Sequence, residues 1–327
     1  MRLIRHFTEI PAGLRGAVIA LGNFDGMHRG HQAVIGEAVR IAKAQQRAAA
    51  VMTFEPHPRL FFKPDQEPFL LSPFRIKARI IEALGVDYLY VLTFDRDFAS
   101  RTADDFVERI LLDGLGVSHV VVGSDYVFGR DRVGNVALLE TKAAARGFGV
   151  TAVSERKDPG GVRYSSTNIR QYLTDGQCAD AARLLGRYWE IVGRVEHGDQ
   201  RGRFMGFPTA NLPHRDGLHP KRGVYAVRAG VDRGGETVWY DAVANFGYRP
   251  TFDKKDVLLE VHVFDFNQDL YQRHLRVALI DYIRPEIKFS GIDAIKAQIT
   301  KDCDLARALL RSKKFSSLPA PFVAFAA

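Results

Sequence analysis

The stretch GNFDGMHRGHQ, residues 22–32, sets His28 and His31 three positions apart, directly after the apolar segment AVIAL. Residues with that spacing share a helix face, so both imidazoles meet the mouth of the amphipathic helix predicted by HQAVIGEAVRIAKAQQ. A helix start presents unpaired N–H groups and a partial positive charge, and so receives phosphate. Gly22 lets the chain turn after the strand, and Gly26 and Gly30 permit close backbone approach. Imidazole donors placed there can follow the charge that builds on a phosphoryl group under attack. Such chemistry needs positioning and charge stabilisation, and no covalent enzyme intermediate. Two plainer readings stand beside it: a metal site of Asp25, His28 and His31, and a structural loop with surface histidines.

The elements that must hold this loop alternate. AVIAL reads as a strand, the following run as a helix and AAAVMTF as a strand; helix and strand patterns then recur through SPFRIKARIIEALG, VDYLYVLTF, TADDFVERILLDGLG, VSHVVVG, NVALLETKAAARGFG and VTAVSE. This order predicts an α/β domain with a parallel, doubly wound, Rossmann-like sheet. After about residue 187 the texture changes to short β runs between Gly, Pro and Asp turns: YWEIVGRVEHG, GVYAVRAGVD, TVWYDAVANFG, LLEVHVFDF and HLRVALIDYIRP. These predict a closed β-barrel, with GIDAIKAQITKDCDLARALLRS as a terminal helix packed against it. A chain of 327 residues exceeds the usual single core, and the two domains are placed at 1–186 and 187–327.

With 46% hydrophobic and 26% charged residues and no low-complexity tract, the composition is that of an ordinary globular protein. Cys178 and Cys303 match no metal spacing and read as reduced structural thiols. No apolar run is long enough for a membrane span and the N-terminus lacks a signal-like apolar core, so a cytoplasmic protein with no membrane partner is expected. The net charge of +8 favours acidic partners, either nucleic acid or small phosphates. The arginines are scattered rather than gathered, and no RNA-binding signature is present, which favours small phosphates over nucleic acid.

GNFDGMHRGHQ resembles the G-x-F-D-G-x-H-x-G-H signature of the prokaryotic bifunctional riboflavin kinase/FAD synthetase family. TFEPHPR, GSDYVFGRDRVGN, SSTNIR, LLGRYWEIVGRVEHG, GFPTAN, ANFGYRPTF and LEVHVFDFNQDLY follow in that family's order, so the resemblance spans nearly the whole chain. It implies an N-terminal nucleotidylyltransferase that moves AMP from ATP to FMN, and a C-terminal riboflavin kinase, both using ATP and Mg²⁺. Riboflavin, FMN and ATP are then the small-molecule partners; the oligomeric state is left open.

Residue by residue, the resemblance puts His28 and His31 on the ATP phosphates, with Gly22, Asn23, Phe24, Asp25 and Gly26 shaping the nucleotide site. SSTNIR supplies Ser165, Ser166 and Thr167 as hydroxyl or backbone donors and Arg170 as a phosphate clamp; read alone, it is also a helix N-cap. His57, Asp125, Tyr126 and Phe128 fall on the flavin side, although Tyr126 and Phe128 read equally as core. In the second half no Walker lysine appears. Gly202, Gly206 and Arg203 would meet ATP, while Thr209 and Asn211 offer hard oxygens to Mg²⁺. Read alone, GFPTAN is a strand entering a tight turn. Glu260 matches the general base, and strand alternation sets it on one face with His262 and Phe264. Asn245 and Arg249 match the flavin wall. The family's Leu-Tyr-Gly is Leu270-Tyr271-Gln272 here, so the turn there is expected to differ.

Overall fold

A computed structural model describes residues 1–197, 201–233, 236–250, 255–316 and 318, and the chain gathers into two compact units. The first is built from Met1–Glu67 and Phe74–Ser165, the second from Pro68–Pro73 and Ser166–Leu318.

The first unit contains β1 (Arg2–Ile4), β2 (Val18–Leu21), α1 (Arg29–Ala44), β3 (Ala49–Glu55), α2 (Pro58–Phe62), α3 (Phe74–Ala83), β4 (Tyr88–Thr93), α4 (Arg96–Ala99), α5 (Ala103–Asp105), β5 (His119–Gly123), α6 (Val136–Arg146) and β6 (Gly149–Val153). From Phe106 to Gly114 the helix begun by α5 continues in the wider π form. The strands pair in parallel in the order β1-β4-β3-β2-β5-β6. Every residue of β2 is buried, as a central parallel strand covered on both faces requires. After edge strand β1 the chain crosses to β2, steps out through β3 and β4, then returns to β5. Strand order therefore reverses between β2 and β5, where the loops after parallel strands bind ligands. β1 is three residues long, too short for a period to show in the sequence.

The second unit opens with α7 (Ser166–Thr174) and α8 (Cys178–Leu185), closed by Gly186 at φ 76°. It continues through β7 (Glu190–Arg194), α9 (Arg201–Phe204), β8 (Ala210–Pro213), β9 (Gly223–Arg233), β10 (Glu236–Pro250), β11 (Lys255–Val263), β12 (His274–Arg284) and α10 (Ile292–Ser312). The strands are antiparallel in the order β7-β12-β9-β10-β11-β8. The expected closed barrel is only nearly closed. Beyond the end of β7, Glu196 N–H donates to the Asn211 carbonyl at 2.9 Å, in a bridge outside the named strands. GFPTAN also runs opposite to expectation, with the turn first and β8 after it. As the apolar spacing predicts, α10 packs on the sheet, its Cys303, Ala306 and Leu310 meeting Val224, Val243 and Ile280.

The compact units part at Ser165/Ser166, where α7 and α8 pack on each other and α8 on β12. Pro68–Pro73 also belongs to the second unit. Leu218 N–H donates to the Leu70 carbonyl at 2.8 Å, and the buried Trp189 indole donates to the Leu71 carbonyl at 2.6 Å. Deeper in this unit Arg276 of β12 grips Glu190 of β7 through bonds of 2.8 and 2.9 Å. Burial also holds the nearby Arg187 guanidinium below its usual range, against the pull of the Glu190 charge. Both cysteines are free and buried, which pushes Cys178 up to about 12 and Cys303 to about 11, as inert structural thiols require.

Candidate functional site

The loop between β2 and α1 is built around three left-handed residues, Phe24 (φ 50°), Gly26 (φ 84°) and Met27 (φ 50°). Two of these are not glycine and are costly in that conformation, but their side chains are buried and hold the turn. Two buried side chains pin its backbone: Thr53 Oγ1 donates to the Asn23 carbonyl (3.1 Å) and Gln32 Nε2 to the Met27 carbonyl (2.7 Å). Gly22 serves differently from expectation. It is not left-handed; the Phe24 ring folds back so that a Cβ there would come within 2.9 Å of it.

His28 is the N-cap of α1. Its Nδ1 accepts from His31 N–H at 3.2 Å, so in the neutral ring Nε2 carries the proton and is the donor end. The two imidazoles stack with centroids 3.6 Å apart, and Phe24 meets His31 edge-on at 5.4 Å. Gly30 makes this possible: a Cβ would lie 3.0 Å from His28 Nδ1 and 3.4 Å from Tyr164 Cβ. Asp25 is buried, but among the described residues no three of His, Cys, Asp and Glu gather as a metal site. Tyr164 brings the end of the first unit to this helix start, with Ser165 next in the chain; Ser166, Thr167 and Arg170 belong to α7 of the second unit. There Arg170 Nε donates to the Phe69 carbonyl at 2.9 Å.

On the expected flavin side, Tyr126 stacks on Phe128 at 5.7 Å. Phe128 is buried in the core against Phe106, so it is the core reading that its position favours. Tyr126 is half-buried, and burial pushes its hydroxyl well above the usual range. Asp125 is exposed and paired with Arg163 at 2.7 Å. His57 caps α2, accepting from Arg59 N–H at 3.1 Å. Sequence reasoning passed over Phe62 of α2. It is 65% exposed after β3, at the outer end of a run of ring contacts through Phe94, Phe98 and Phe106 to Phe128. Its signal was the paired aromatics of HPRLFF.

In the second unit, strand register lines up three polar side chains: Glu260 of β11 lies opposite Asn211 of β8 on one side and Asn245 of β10 on the other. All three line a cavity of about 430 Å³ together with Thr209, His262 and Glu286. A second cavity, of about 460 Å³, is lined by Asn267, Asp269, Leu270 and Tyr271, and again by Thr209 and Asn211. Thr209 and Asn211 thus border both. Asn211 is buried, and its Oδ1 has no hydrogen-bond partner among the described residues, an acceptor built without a donor.

Gly202 is required for space, since a Cβ would overlap the Phe207 carbonyl, and Gly206 is left-handed at φ 89°. The side chains of Arg203 and Arg249 lie outside the described residues. Gln272 keeps, at φ 62°, the left-handed conformation that a glycine adopts freely, so the turn expected to differ is one a glycine would also fit.

The family model described as FAD synthetase matches residues 10–168, and that described as riboflavin kinase matches residues 185–310. A bifunctional riboflavin kinase/FMN adenylyltransferase of Escherichia coli strain K12 is 42% identical over 303 residues, spanning 92% of this chain and 96% of that protein. That of Pseudomonas fluorescens is 41% identical over 311 residues, covering 94% and 98%. A crystal structure from Streptococcus pneumoniae, described as a macrolide-efflux protein, superposes with a TM-score of 0.82 at 33% identity over 93% of this chain and 98% of that one. Among the described residues no helix is long and apolar enough to cross a membrane. With a near full-length match at this identity and both family models in order along it, the chain belongs to the bifunctional riboflavin kinase/FMN adenylyltransferase family.

Proposed function

We propose that the chain phosphorylates riboflavin to FMN in residues 187–327 and adenylylates FMN to FAD in residues 1–186, with ATP as co-substrate for both. The observation that carries this reading is the pair of cavities meeting at Thr209 and Asn211 in front of Glu260. The cavity around Asn245 and Glu260, with Met205, Phe207 and Ile287 in its wall, suits the flavin, and the cavity at Leu270 and Tyr271 suits the nucleotide. The terminal ribityl hydroxyl would then lie between Glu260, which accepts its proton, and the γ-phosphate it attacks. The orphaned Asn211 Oδ1 and the Thr209 hydroxyl are hard oxygen donors and fit a Mg²⁺ ion. When bound, Mg²⁺ would neutralise phosphate charge. Gly202, Arg203 and Gly206 would face the phosphates, and Arg249 the flavin.

For adenylyl transfer, an FMN phosphate oxygen attacks the α-phosphorus of ATP and pyrophosphate leaves. The N–H groups opening α1 and the His28 and His31 donors stabilise the charge that moves toward pyrophosphate. Gly22, Asn23, Phe24, Asp25 and Gly26 shape the nucleotide side. Ser165, Ser166, Thr167 and Arg170 would hold phosphate oxygens, and His57, Asp125 and Tyr126 would face the flavin, with the exposed Phe62 as a further ring. The test is chromatography of the flavins formed when pure protein is incubated with riboflavin, ATP and Mg²⁺. FMN followed by FAD is expected; FMN alone would remove the second activity, and neither product would overturn the reading.

A further inference from the structure

Glu286, two residues past β12, lines the same cavity as Glu260 and Asn245 but has no part in the roles above. Its carboxylate sits directly on Gly247 of β10, where a built Cβ would overlap Oε1. Gly247 is not left-handed, so its missing side chain provides room for Glu286 rather than backbone freedom. From that seat Glu286 Oε1 accepts a hydrogen bond from Asn245 Nδ2 at 3.2 Å. An ionised carboxylate only accepts, which commits the NH₂ end of the Asn245 amide to Glu286 and leaves Oδ1 as its other end.

Asn245 lies directly opposite Glu260 in the strand register. Side chains so placed have Cβ atoms about 4.5–5.5 Å apart, within reach of each other. An Asn245 amide free to turn would offer its NH₂ group to the Glu260 carboxylate and close the two against a ligand. Held by Glu286, it presents an acceptor beside an acceptor. A ligand that brings donors at adjacent positions, such as a polyol side chain with neighbouring hydroxyls, can meet both acceptors at once.

Resting on the functional reading above, we propose that Glu286 is a positioning residue that makes the flavin cavity selective for a polyhydroxylated side chain. It holds Asn245 so that Oδ1 accepts from the hydroxyl next to the one that Glu260 deprotonates. The test compares riboflavin with an analogue lacking the side-chain hydroxyl next to the terminal one, by steady-state kcat/KM in wild type, Glu286→Ala, Gly247→Ala, Asn245→Ala and the Glu286→Ala/Asn245→Ala pair. Gly247→Ala displaces the carboxylate without altering it, because the overlap is with the far end of a flexible side chain.

Wild type should prefer riboflavin by roughly two- to tenfold, the worth of one hydrogen bond. Glu286→Ala and Gly247→Ala should both erase the preference and raise KM for riboflavin. Removing Glu286 should change nothing further once Asn245 is Ala, since the two act as one unit. Circular dichroism confirms folding. Wild-type selectivity in folded Glu286→Ala and Gly247→Ala proteins, or a full Glu286 effect persisting without Asn245, overturns the proposal. A wild-type protein that leaves riboflavin unphosphorylated overturns the functional reading itself, before any variant is made, and the proposal falls with it.

Discussion

Glu190→Gln removes a single negative charge from the interior of the second unit and leaves Arg276 buried without its counter-charge. Both side chains of that pair are nearly inaccessible, at 2% and 4% exposure. Breaking a buried pair from one side typically costs about 3–5 kcal/mol. Glutamine keeps one acceptor oxygen for one of the two guanidinium bonds, which puts the expected loss near the low end, about 3 kcal/mol. For a unit of this size each kcal/mol moves the midpoint by about 2–4 °C, so the melting temperature should fall by about 6–12 °C. Scanning calorimetry of the full chain, with riboflavin phosphorylation followed after brief heating, reads this directly. A Glu190→Leu/Arg276→Met double variant should recover part of the loss, because it removes the Arg276 charge with its partner and leaves only Arg187 without the Glu190 carboxylate. A fall of less than about 2 °C in Glu190→Gln, or a double variant less stable than the single one, would refute the charge account.

Glu260→Gln should cut riboflavin phosphorylation by roughly 10²–10⁴ while FMN adenylylation stays within a few-fold, measured by supplying each flavin separately; a normal kinase rate removes Glu260 from the mechanism. Replacing His28 and His31 together by Ala should lower FMN adenylylation by roughly 10² and spare phosphorylation, and unchanged FAD output from a folded protein would count against them. Thr209→Val should raise the Mg²⁺ concentration that the kinase needs, whereas an unshifted Mg²⁺ titration makes Thr209 a turn residue only. Burial holds His214 below its usual range. The unfolded chain therefore takes up the proton first, and this contribution to stability is intact above about pH 6.5 and lost as pH falls below it. The melting temperature of wild type should drop more between pH 7.5 and 5 than that of His214→Gln; parallel curves would show that another group is responsible.

Much of this architecture was legible because apolar periodicity is a local signal. The alternation up to residue 155, the short β runs after 187 and the helix at 291–312 were all read from it. What escaped was non-local. The three-residue β1 exists only because β4 offers an open edge. The division at Ser165 follows from where α7 and α8 pack, which no linker composition announces. At the first site the glycines of the opening motif were legible, but not their tasks. Gly30 clears the His28 ring and Gly22 the Phe24 ring, contacts set by rotamers rather than spacing. Thr53 and Gln32 fit an ordinary strand and helix pattern, and nothing in that pattern marks their bonds to the loop backbone. At the second site the row Asn211–Glu260–Asn245 depends on register between strands far apart in sequence, which only pairing reveals.

The hexapeptide Pro68–Pro73 bears on how such a chain can be taken apart. Its covalent neighbours on both sides belong to the first unit, yet Leu71 is 1% exposed within the second. A fragment starting at residue 166 or 187 would carry the whole barrel but lack this piece. The Trp189 indole would then lose its 2.6 Å acceptor, and the Leu218 amide its own. A buried donor stripped of its partner costs about 1–3 kcal/mol. No single cut therefore yields two intact halves. Separating the activities by truncation damages the kinase half for reasons unrelated to its chemistry.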